Sequence, residues 1–376
     1  MTHPSLELTQ PLTDNPAESF TLSRAYYLDA EIFEKEKTHI FYRTWQYVTP
    51  VAALPNIGDY QAFEICDEQI FVIRSGDGQL RGFYNVCRHR AHELVSGKGN
   101  KPHGIVCPYH AWSYRNDGPL MVAPKSEGRA SFSKQDFSLK EVRLEVFCGC
   151  IFVNLDDEAI SLAELAGDLQ EDILSYVPNL DSFGVLGSNL LGETYADAGW
   201  KVVVDNFAEC YHCGPAHPDF ASLIDMDDYQ VDVFDQWSRQ LGPTIRNENS
   251  AYPVAKSEEM QGSAFWFLWP NTTFNIMPGS LELAVYAIRP VDLTSSRFEG
   301  EILTNGASSS QARVDYTADV LSIEDINLCE SVQRGLNSKS YQQGPIMVDD
   351  ELSGTGEQAL HHFHRLVHRA LTDDSD

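Results

Sequence analysis

The chain has 376 residues, of which 43% are hydrophobic and 11% aromatic, and its formal net charge is −28. This length and apolar content predict a globular protein with room for two domains, and they exclude intrinsic disorder. So strong a negative charge repels phosphates, which excludes nucleic acid and anionic membranes as partners. No apolar run approaches the roughly 18 residues that a membrane helix needs. The N-terminus lacks a basic stretch followed by an apolar one, so we expect a cytoplasmic protein.

The first part of the chain changes from helical to β character. Apolar residues recur with helical spacing between 29 and 41, after a polar opening segment. From 45 to about 155 the pattern is one of short apolar runs, and Gly76 and Gly78 mark a hairpin after the run at 69–74. This region predicts a small β domain.

The second part mixes both periodicities. Helices are predicted at 160–180, 200–212, 323–336 and 356–370. Strands are predicted at 264–269, 272–276, 281–288 and 298–304. The order is typical of an α+β domain in which strands are followed by a long helix.

Two short motifs in the β region each pair a cysteine with a histidine. One residue separates Cys87 from His89, and after seventeen further residues Cys107 and His110 follow with two residues between them. Each pair lies in what the glycines nearby indicate is a loop, and two such loops can enclose one metal centre. We interpret the eight cysteines as metal ligands or core residues and not as disulfides, as is usual in a cytosolic protein.

Two metal chemistries fit this ligand set. Zinc binds two cysteines and two histidines tetrahedrally, whereas a Rieske cluster has two thiolates on one iron and two imidazoles on the other. Each loop here supplies one ligand of each kind, which suits a cluster with two unlike irons. A non-catalytic zinc-binding protein remains open as the alternative. The nearby His92 and His103 are expected to be exposed or hydrogen-bonded and not to bind metal.

A third motif contains His212 and His217. Their spacing of five is not that of one continuous helical face, but Gly214 and Pro215 lie between them and should end the helix. His212 would then project from the helix end and His217 from the following turn, where the two rings can converge on one ion. With a carboxylate they would form the 2-His-1-carboxylate triad of non-haem Fe(II) oxygenases.

These motifs resemble the signatures of the Rieske oxygenases. The segments around Cys87 and Cys107 resemble the cluster-binding signature, although Ala111 stands where many members have glycine. The segment from Glu209 to His217 resembles the iron-binding motif Glu/Asp-x-x-His-x4-His, with glutamate at 209 where most members have aspartate. The resemblance covers nearly the whole chain, and the two motifs come in the expected order.

The resemblance implies two metal centres. A [2Fe–2S] cluster is implied on Cys87, His89, Cys107 and His110, and a mononuclear Fe(II) on His212, His217 and Asp325. Asp325 is identified through the likeness of helix 323–336 to a late helix of the family. Glu324 and Glu330 are competing carboxylates, and Ser322 followed by Asp325 is also a helix-capping pattern. Glu209 is implied to join an iron-site histidine to a cluster histidine of the neighbouring subunit.

The resemblance also implies the fold and the partners. A helical lead-in of residues 1–44 would pack on the catalytic domain, residues 45–160 would form an all-β Rieske domain, and residues 161–376 a helix-grip catalytic domain with an antiparallel sheet and a long C-terminal helix. A homotrimer is implied, with O2 as cosubstrate and NAD(P)H as electron source. Because the chain has no glycine-rich nucleotide motif after a strand, the electrons would pass through a separate flavin and iron–sulfur reductase.

Within this family, the sequence is similar to oxygenase components that act on quaternary ammonium compounds, carnitine monooxygenases and betaine-demethylating oxygenases among them. A trimethylammonium group is held by aromatic faces through cation–π attraction, at ~0.5–2 kcal/mol per contact. Core packing is the alternative role for most such rings, and an oxygenase of aromatic acids is the alternative function. The candidate aromatic residues are Phe207, Tyr211, Trp266, Trp269 and Phe274.

Overall fold

The computed structural model describes residues 6–186, 194–246, 248–256, 258–306 and 310–372. The chain forms two compact units, a smaller one of Phe41–Glu164 and a larger one that joins Met1–Ile40 to Leu165–Asp376. Helices and sheets are both present, so the predicted α+β class is confirmed. The functional limits of 1–44, 45–160 and 161–376 stay predictions.

The smaller unit is built on a seven-stranded antiparallel sheet. Its strands are rich in β-branched and aromatic residues, which favour the pleated conformation, and the predicted strand at 69–74 and its hairpin are confirmed. The strand order is β1-β10-β9-β4-β3-β2-β5. The strands are β1 (Gln46–Pro50), β2 (Asp59–Ile65), β3 (Glu68–Arg74), β4 (Leu80–Tyr84), β5 (Lys98–Asn100), β9 (Glu141–Phe147) and β10 (Cys150–Asn154).

A three-stranded sheet completes the smaller unit. It consists of β6 (Ile105–Val106), β7 (Ser113–Tyr114) and β8 (Leu120–Val122). The core beneath it contains Phe71, Phe83 and Trp112, and the same core encloses Cys87 and Cys107.

The larger unit contains an eight-stranded sheet, in which β11-β18-β17-β16-β15-β14-β13 are paired in this order and β12 pairs with β18. The four predicted strands after 260 are confirmed as β15 to β18. The strands are β11 (Gly184–Val185), β12 (Thr194–Ala196), β13 (Gln230–Val233), β14 (Trp237–Gly242), β15 (Ser263–Leu268), β16 (Thr272–Ile276), β17 (Glu282–Asp292) and β18 (Ser295–Thr304).

Helices from several parts of the chain accompany this sheet. Two π-helical turns, Lys37–Phe41 and Thr317–Leu321, extend α2 and link α8 to α9. None of the helices in the described ranges combines the length and apolarity needed to cross a membrane. The helices are α1 (Ala25–Leu28), α2 (Ala30–Glu36), α3 (Leu162–Ala166), α4 (Leu169–Tyr176), α5 (Trp200–Phe207), α6 (Cys213–Ala216), α7 (Pro218–Leu223), α8 (Gln311–Tyr316), α9 (Ser322–Leu336) and α10 (Gln358–Thr372).

The helix predicted over 200–212 is shorter than expected. Helix α5 ends at Phe207, so Glu209 and His212 lie in the connection to α6 and not on one helix. Pro215 does not stop a long helix but lies inside the short α6, where a proline is tolerated because first-turn N–H groups have no helical partner. The connection gives Glu209 freedom to fold back on His212.

Helix α10 contacts the N-terminal segment within the larger unit. Its apolar residues repeat with helical spacing, and Phe363 and Val367 are fully buried. His364 Nδ1 accepts the Leu22 N–H at 3.2 Å, and the Tyr27 hydroxyl lies 3.2 Å from His364 Nε2. These contacts tie residues near the start of the chain to those near its end.

Candidate metal centres and the adjoining cavity

The two loops that carry the cysteine–histidine motifs have the same backbone arrangement. The Cys87 carbonyl accepts the Ala91 N–H at 3.0 Å, and the Cys107 carbonyl accepts the Ala111 N–H at 3.0 Å. Ala91 and Ala111 have positive φ angles of 53° and 57°. This left-handed conformation favours glycine, which gives a physical reason for the glycine common at position 111 in similar sequences.

The four predicted cluster ligands converge from these loops. Cys87 and Cys107 are 3% and 2% exposed, while His89 is exposed and His110 half-buried. The two imidazole rings are 4.6 Å apart between centroids, at an interplanar angle of 76°. Two buried thiols and two outer imidazoles suit a cluster with one sulfur-bound and one nitrogen-bound iron.

Neighbouring side chains support these ligands. The Tyr114 hydroxyl accepts the Arg88 N–H at 3.0 Å and lies 3.4 Å from Cys87 Sγ, within hydrogen-bonding reach of the sulfur. The Trp112 ring stacks on His89 at 4.8 Å. Hydrogen bonds to ligand sulfurs tune the reduction potential of iron–sulfur clusters. His92 and His103 are exposed.

The predicted iron ligands lie together in the larger unit. Among the residues that the structure describes, His212, His217 and Asp325 alone bring three metal-binding atoms within 4.8 Å of one another. Asp325 Oδ1 lies 2.9 Å from His217 Nε2 and 3.6 Å from His212 Nε2. Two imidazoles and one carboxylate on one side of an ion form the Fe(II) facial triad, with coordination positions left open.

The distances between ligand atoms also bear on the zinc alternative. A single zinc ion requires four ligand atoms at about 2.0–2.3 Å, so these atoms must all lie close together. Within the described ranges, Cys87, His89, Cys107 and His110 do not form such a close group.

A carboxylate orients each iron-site histidine from the side away from Asp325. Glu209 Oε1 lies 2.6 Å from His212 Nδ1, and its Oε2 accepts the His212 backbone N–H at 3.1 Å. Glu324 Oε2 lies 2.8 Å from His217 Nδ1. Both rings therefore direct Nε2 towards Asp325, as carboxylate–histidine–metal arrangements require.

Electrostatics at this site favour a bound cation. Burial alone would lower the pKa of His212, but the carboxylates of Asp325 and Glu209 raise it to about 9. Burial alone would also lower the pKa of His217, but the carboxylates of Asp325 and Glu324 outweigh this effect and raise it. The two rings lower the pKa of Asp325 against the effect of burial. The carboxylates thus stabilise positive charge where a divalent ion would lie.

Asp325 is not a helix cap. Ser322 has helical backbone angles, and its hydroxyl donates to the Thr317 carbonyl at 2.7 Å. The chain is already helical before Ser322, because the π-helical turn Thr317–Leu321 leads directly into α9. The capping interpretation therefore fails, and π-helical turns are frequent at functional sites.

A cavity of about 200 Å³ opens beside Asp325. Its walls come from α5, from strands β15 to β18 and from α8 and α9. Four aromatic rings and three charged side chains are among the residues that line it, namely Phe207, Phe265, Tyr286, Phe298, Glu282, Arg313 and Asp325.

Comparison with known proteins identifies the family. Residues 44–135 match the model of the Rieske [2Fe-2S] domain, and residues 191–373 that of the ring hydroxylating alpha subunit (catalytic domain). The chain is 36% identical over 379 aligned residues to the carnitine monooxygenase oxygenase subunit of Escherichia coli K12, covering 98% of this chain and 99% of that protein. The chain belongs to the Rieske non-haem iron oxygenases.

Two further related proteins align with most of the length of this Rieske oxygenase. The glycine betaine monooxygenase oxygenase subunit of Pseudomonas aeruginosa PAO1 is 26% identical, over 91% of this chain and 88% of that protein. The crystal structure of the quaternary ammonium Rieske monooxygenase CntA in complex with L-carnitine superposes with a TM-score of 0.86 and 33% identity, covering 97% of this chain and 99% of the other. The family implies an iron–sulfur cluster and a mononuclear iron, which the donor sets described above fit.

Most of the aromatic residues that were expected to contact the substrate of this Rieske oxygenase do not line the cavity. Phe207 lines the cavity, whereas Tyr211, Trp266, Trp269 and Phe274 are not among its lining residues. Tyr211 is 54% exposed, and Trp266 donates its indole N–H to Asp172 at 2.6 Å. Trp266 and Phe274 are each one position away from a strand residue that lines the cavity, whereas Tyr211 and Trp269 are outside its strands.

Pairing between β15 and β16 explains the difference at Trp266 and Phe274. Trp266 is opposite Phe274, and Phe265 is opposite Asn275. Opposite residues share a sheet face, so Phe265 and Asn275 face the cavity while Trp266 and Phe274 face away. Sequence reasoning also missed Glu282, Tyr286, Phe298 and Arg313, and it named Glu324 only as a rival ligand.

The cysteines need one further correction. Cys210 and Cys213 form a disulfide in this structure, contrary to the expectation that the chain has none. The bond brackets Tyr211 and His212 within the connection between α5 and α6.

Proposed function

We propose that this chain is the terminal oxygenase of a multicomponent Rieske system that oxidises a small quaternary ammonium compound such as carnitine or a betaine. The reaction is hydroxylation of a carbon bonded to nitrogen, followed by C–N cleavage or N-demethylation. It consumes O2, two electrons and two protons, and it releases one water for each hydroxyl group inserted.

The observation that carries this proposal is the composition of the cavity wall beside Asp325. Phe207, Phe265, Tyr286 and Phe298 present four aromatic rings to the cavity, and Tyr286 and Phe298 lie edge to face at 6.1 Å. A trimethylammonium group needs no hydrogen-bond donor and is attracted by such rings. Similarity over 98% of the chain to a carnitine monooxygenase subunit supports the same substrate class.

The chain's own residues hold and orient the reacting groups. His212, His217 and Asp325 would hold the iron, and Cys87, His89, Cys107 and His110 the cluster. Glu209 and Glu324 fix the two histidine rings. When bound, the two metal groups supply one-electron transfer and O2 activation. The apolar wall excludes water from the carbon that is oxidised.

The inter-subunit role of Glu209 is part of the proposal. Its carboxylate accepts two hydrogen bonds from His212, and a carboxylate can accept about four, so it can also bind a histidine N–H of a neighbouring subunit. We propose a homotrimer in which Glu209 makes this contact, a reductase that delivers electrons from NAD(P)H, and a cytoplasmic location. A CntA structure whose report describes inter-subunit electron transfer supports this arrangement.

Substrate-dependent O2 consumption tests the proposed function. The iron-loaded protein is supplied with a related reductase and with carnitine, γ-butyrobetaine, glycine betaine or benzoate. O2 uptake with the quaternary amines and release of trimethylamine or formaldehyde are expected. Benzoate tests the alternative of an aromatic-acid oxygenase.

The His217→Ala variant serves as the control for iron-dependent turnover. It removes one iron-site ligand and should abolish O2 uptake while the cluster keeps its electron paramagnetic resonance signal. Oxidation of benzoate, with no quaternary amine accepted, would reject the proposed substrate class.

A further inference from the structure

The cavity has an ion pair on its wall in addition to the iron-site carboxylate. Arg313 of α8 pairs with Glu282 at the start of β17. Their side chains are 7% and 2% exposed, and both line the cavity. Arg313 is the one basic side chain among the described residues that line the cavity. Asp325 also lines it, further along the same helical stretch.

A buried ion pair is poor evidence of a purely structural role. Taking two charges out of water costs about as much as their attraction returns, so apolar residues often serve stability equally well. The position of Arg313 and Glu282 on a ligand cavity points instead to recognition. A guanidinium has five N–H donors on different edges, so it can bind Glu282 and a second carboxylate at once.

Arg313 and Asp325 lie on different parts of the cavity wall. They are twelve residues apart on the stretch formed by α8, the π-helical turn and α9, and both line the cavity. A ligand with a cationic and an anionic end can therefore have one end near each residue.

The aromatic rings lie between these two ends. Glu282 and Tyr286 are on the same face of β17, because side chains alternate along a strand and both line the cavity. Phe298 of β18 contacts Tyr286. Asp325 is close enough to Tyr286 to help raise the pKa of that phenol, for which burial is the larger cause. The part of the cavity lined by Tyr286 and Phe298 is therefore near Asp325. Glu282, with its partner Arg313, lines a part further along the sheet.

We propose that Arg313, held by Glu282, binds the carboxylate of the substrate. The site thereby favours quaternary ammonium compounds that also carry a carboxylate. This inference rests on the proposed function, because it assumes that the ammonium end lies among the aromatic rings. Glu282 balances the charge of Arg313 when no substrate is bound.

Binding of three matched ligands to the iron-loaded protein tests the anchor without turnover. Calorimetry gives the Kd of γ-butyrobetaine, of 4-trimethylammonio-1-butanol, in which CH2OH replaces the carboxylate, and of glycine betaine. Loss of a charged hydrogen bond should weaken binding roughly 10- to 100-fold. We therefore expect γ-butyrobetaine to bind more tightly than the alcohol by about that factor, and glycine betaine shows whether a shorter carboxylate reaches the same anchor.

The decisive variant removes both charges at once. Arg313→Gln alone would leave Glu282 buried without its partner and could unfold the protein, so Glu282→Gln is combined with it. In the double variant, the preference for γ-butyrobetaine over the alcohol should disappear while affinity for the alcohol is unchanged. The matched control is Arg289→Gln with Glu299→Gln, a largely buried pair on β17 and β18 outside the cavity wall.

The outcomes separate the anchor from the proposed function. A double variant that still prefers the carboxylate by 10-fold or more would overturn the anchor. So would a wild-type protein that binds and oxidises the alcohol as well as the carboxylate, although the proposed function would then stand. A wild-type protein that neither binds nor oxidises any of the three ligands would overturn both.

Discussion

Glu209 and Glu324 perform the same task on two different histidines. Each carboxylate accepts a hydrogen bond from Nδ1, at 2.6 Å for His212 and 2.8 Å for His217. Each thereby fixes the ring so that Nε2 is directed towards Asp325. The order of the iron site thus depends on two residues that do not themselves bind the ion.

We expect Glu209→Gln to weaken Fe(II) binding at the mononuclear site by about 10- to 100-fold. The amide carries no charge, and only one of its two polar atoms can accept a hydrogen bond. Chelator competition measures the affinity, and exposed Glu171→Gln is the control. An unchanged affinity, or a lost cluster signal, would contradict this role.

Individual residues differ in how far their positions follow from sequence. Cys87, His89, Cys107 and His110 could be predicted because two local loops carry the same pattern. Glu209 was placed correctly beside His212 but wrongly on a helix, because α5 ends at Phe207. Arg313 gave no signal, since its partner Glu282 is 31 residues away and only the packing of α8 on the sheet brings them together.

The strands show why the pocket aromatics were mispredicted. A strand with one exposed face reveals its inner face by alternating polar and apolar residues. All five residues of β16 are buried, as are five of the six residues of β15. Both faces of these strands are covered, so the pattern cannot tell Trp266 from Phe265. Pairing with neighbouring strands decides it.

Close packing between β17 and β18 predicts the effect of a small substitution. Gly300 lies opposite Tyr286, and a Cβ at position 300 would be 2.3 Å from the Tyr286 Cβ and from the Val285 carbonyl oxygen. Gly300→Ala should therefore displace Tyr286 and lower the free energy of unfolding by about 1–3 kcal/mol. Urea unfolding measures this change.

Gly184→Ala is the matched control for Gly300→Ala. Gly184 is also in a strand of this sheet, but an added Cβ there meets nothing within 4 Å. It should leave stability unchanged or slightly higher, because alanine restricts the unfolded chain. Equal effects of the two substitutions would show that contact with Tyr286 is not the cause.

Helix α10 should make the larger unit sensitive to acid. Burial, with the positive charges of Arg365 and Arg369, lowers the pKa of His362 from 6.5 to about 4. The unfolded chain therefore binds a proton that the folded chain does not between these pH values. The stability associated with neutral His362 is complete above pH 6.5 and falls as pH drops towards 4, with a slope of up to about 1.4 kcal/mol per pH unit.

The variant His362→Leu should remove this part of the pH dependence. His362 Nε2 is buried without a hydrogen-bond partner, so the substitution should cost little stability at pH 7. Urea unfolding at pH 5 and pH 7 gives the slope, and exposed His103→Gln should keep the wild-type value. Identical slopes in wild type and His362→Leu would show that His362 does not titrate as described.

At the scale of the whole molecule, each metal centre draws its ligands from one unit. The cluster ligands belong to Phe41–Glu164, and the mononuclear-iron ligands belong to the larger unit. Both units have cores of their own. The two centres should therefore be lost independently when a ligand is replaced, even though turnover needs both.

Cys107→Ser and His217→Ala test this independence in opposite directions. Cys107→Ser should abolish the Rieske-type electron paramagnetic resonance signal and lower bound iron from about three to about one per chain. His217→Ala should keep the signal and lose only the mononuclear iron. Both variants should show no substrate-dependent O2 uptake. If Cys107→Ser also loses the mononuclear iron while the larger unit stays folded by circular dichroism, then the iron site depends on the cluster and the two centres are not independent.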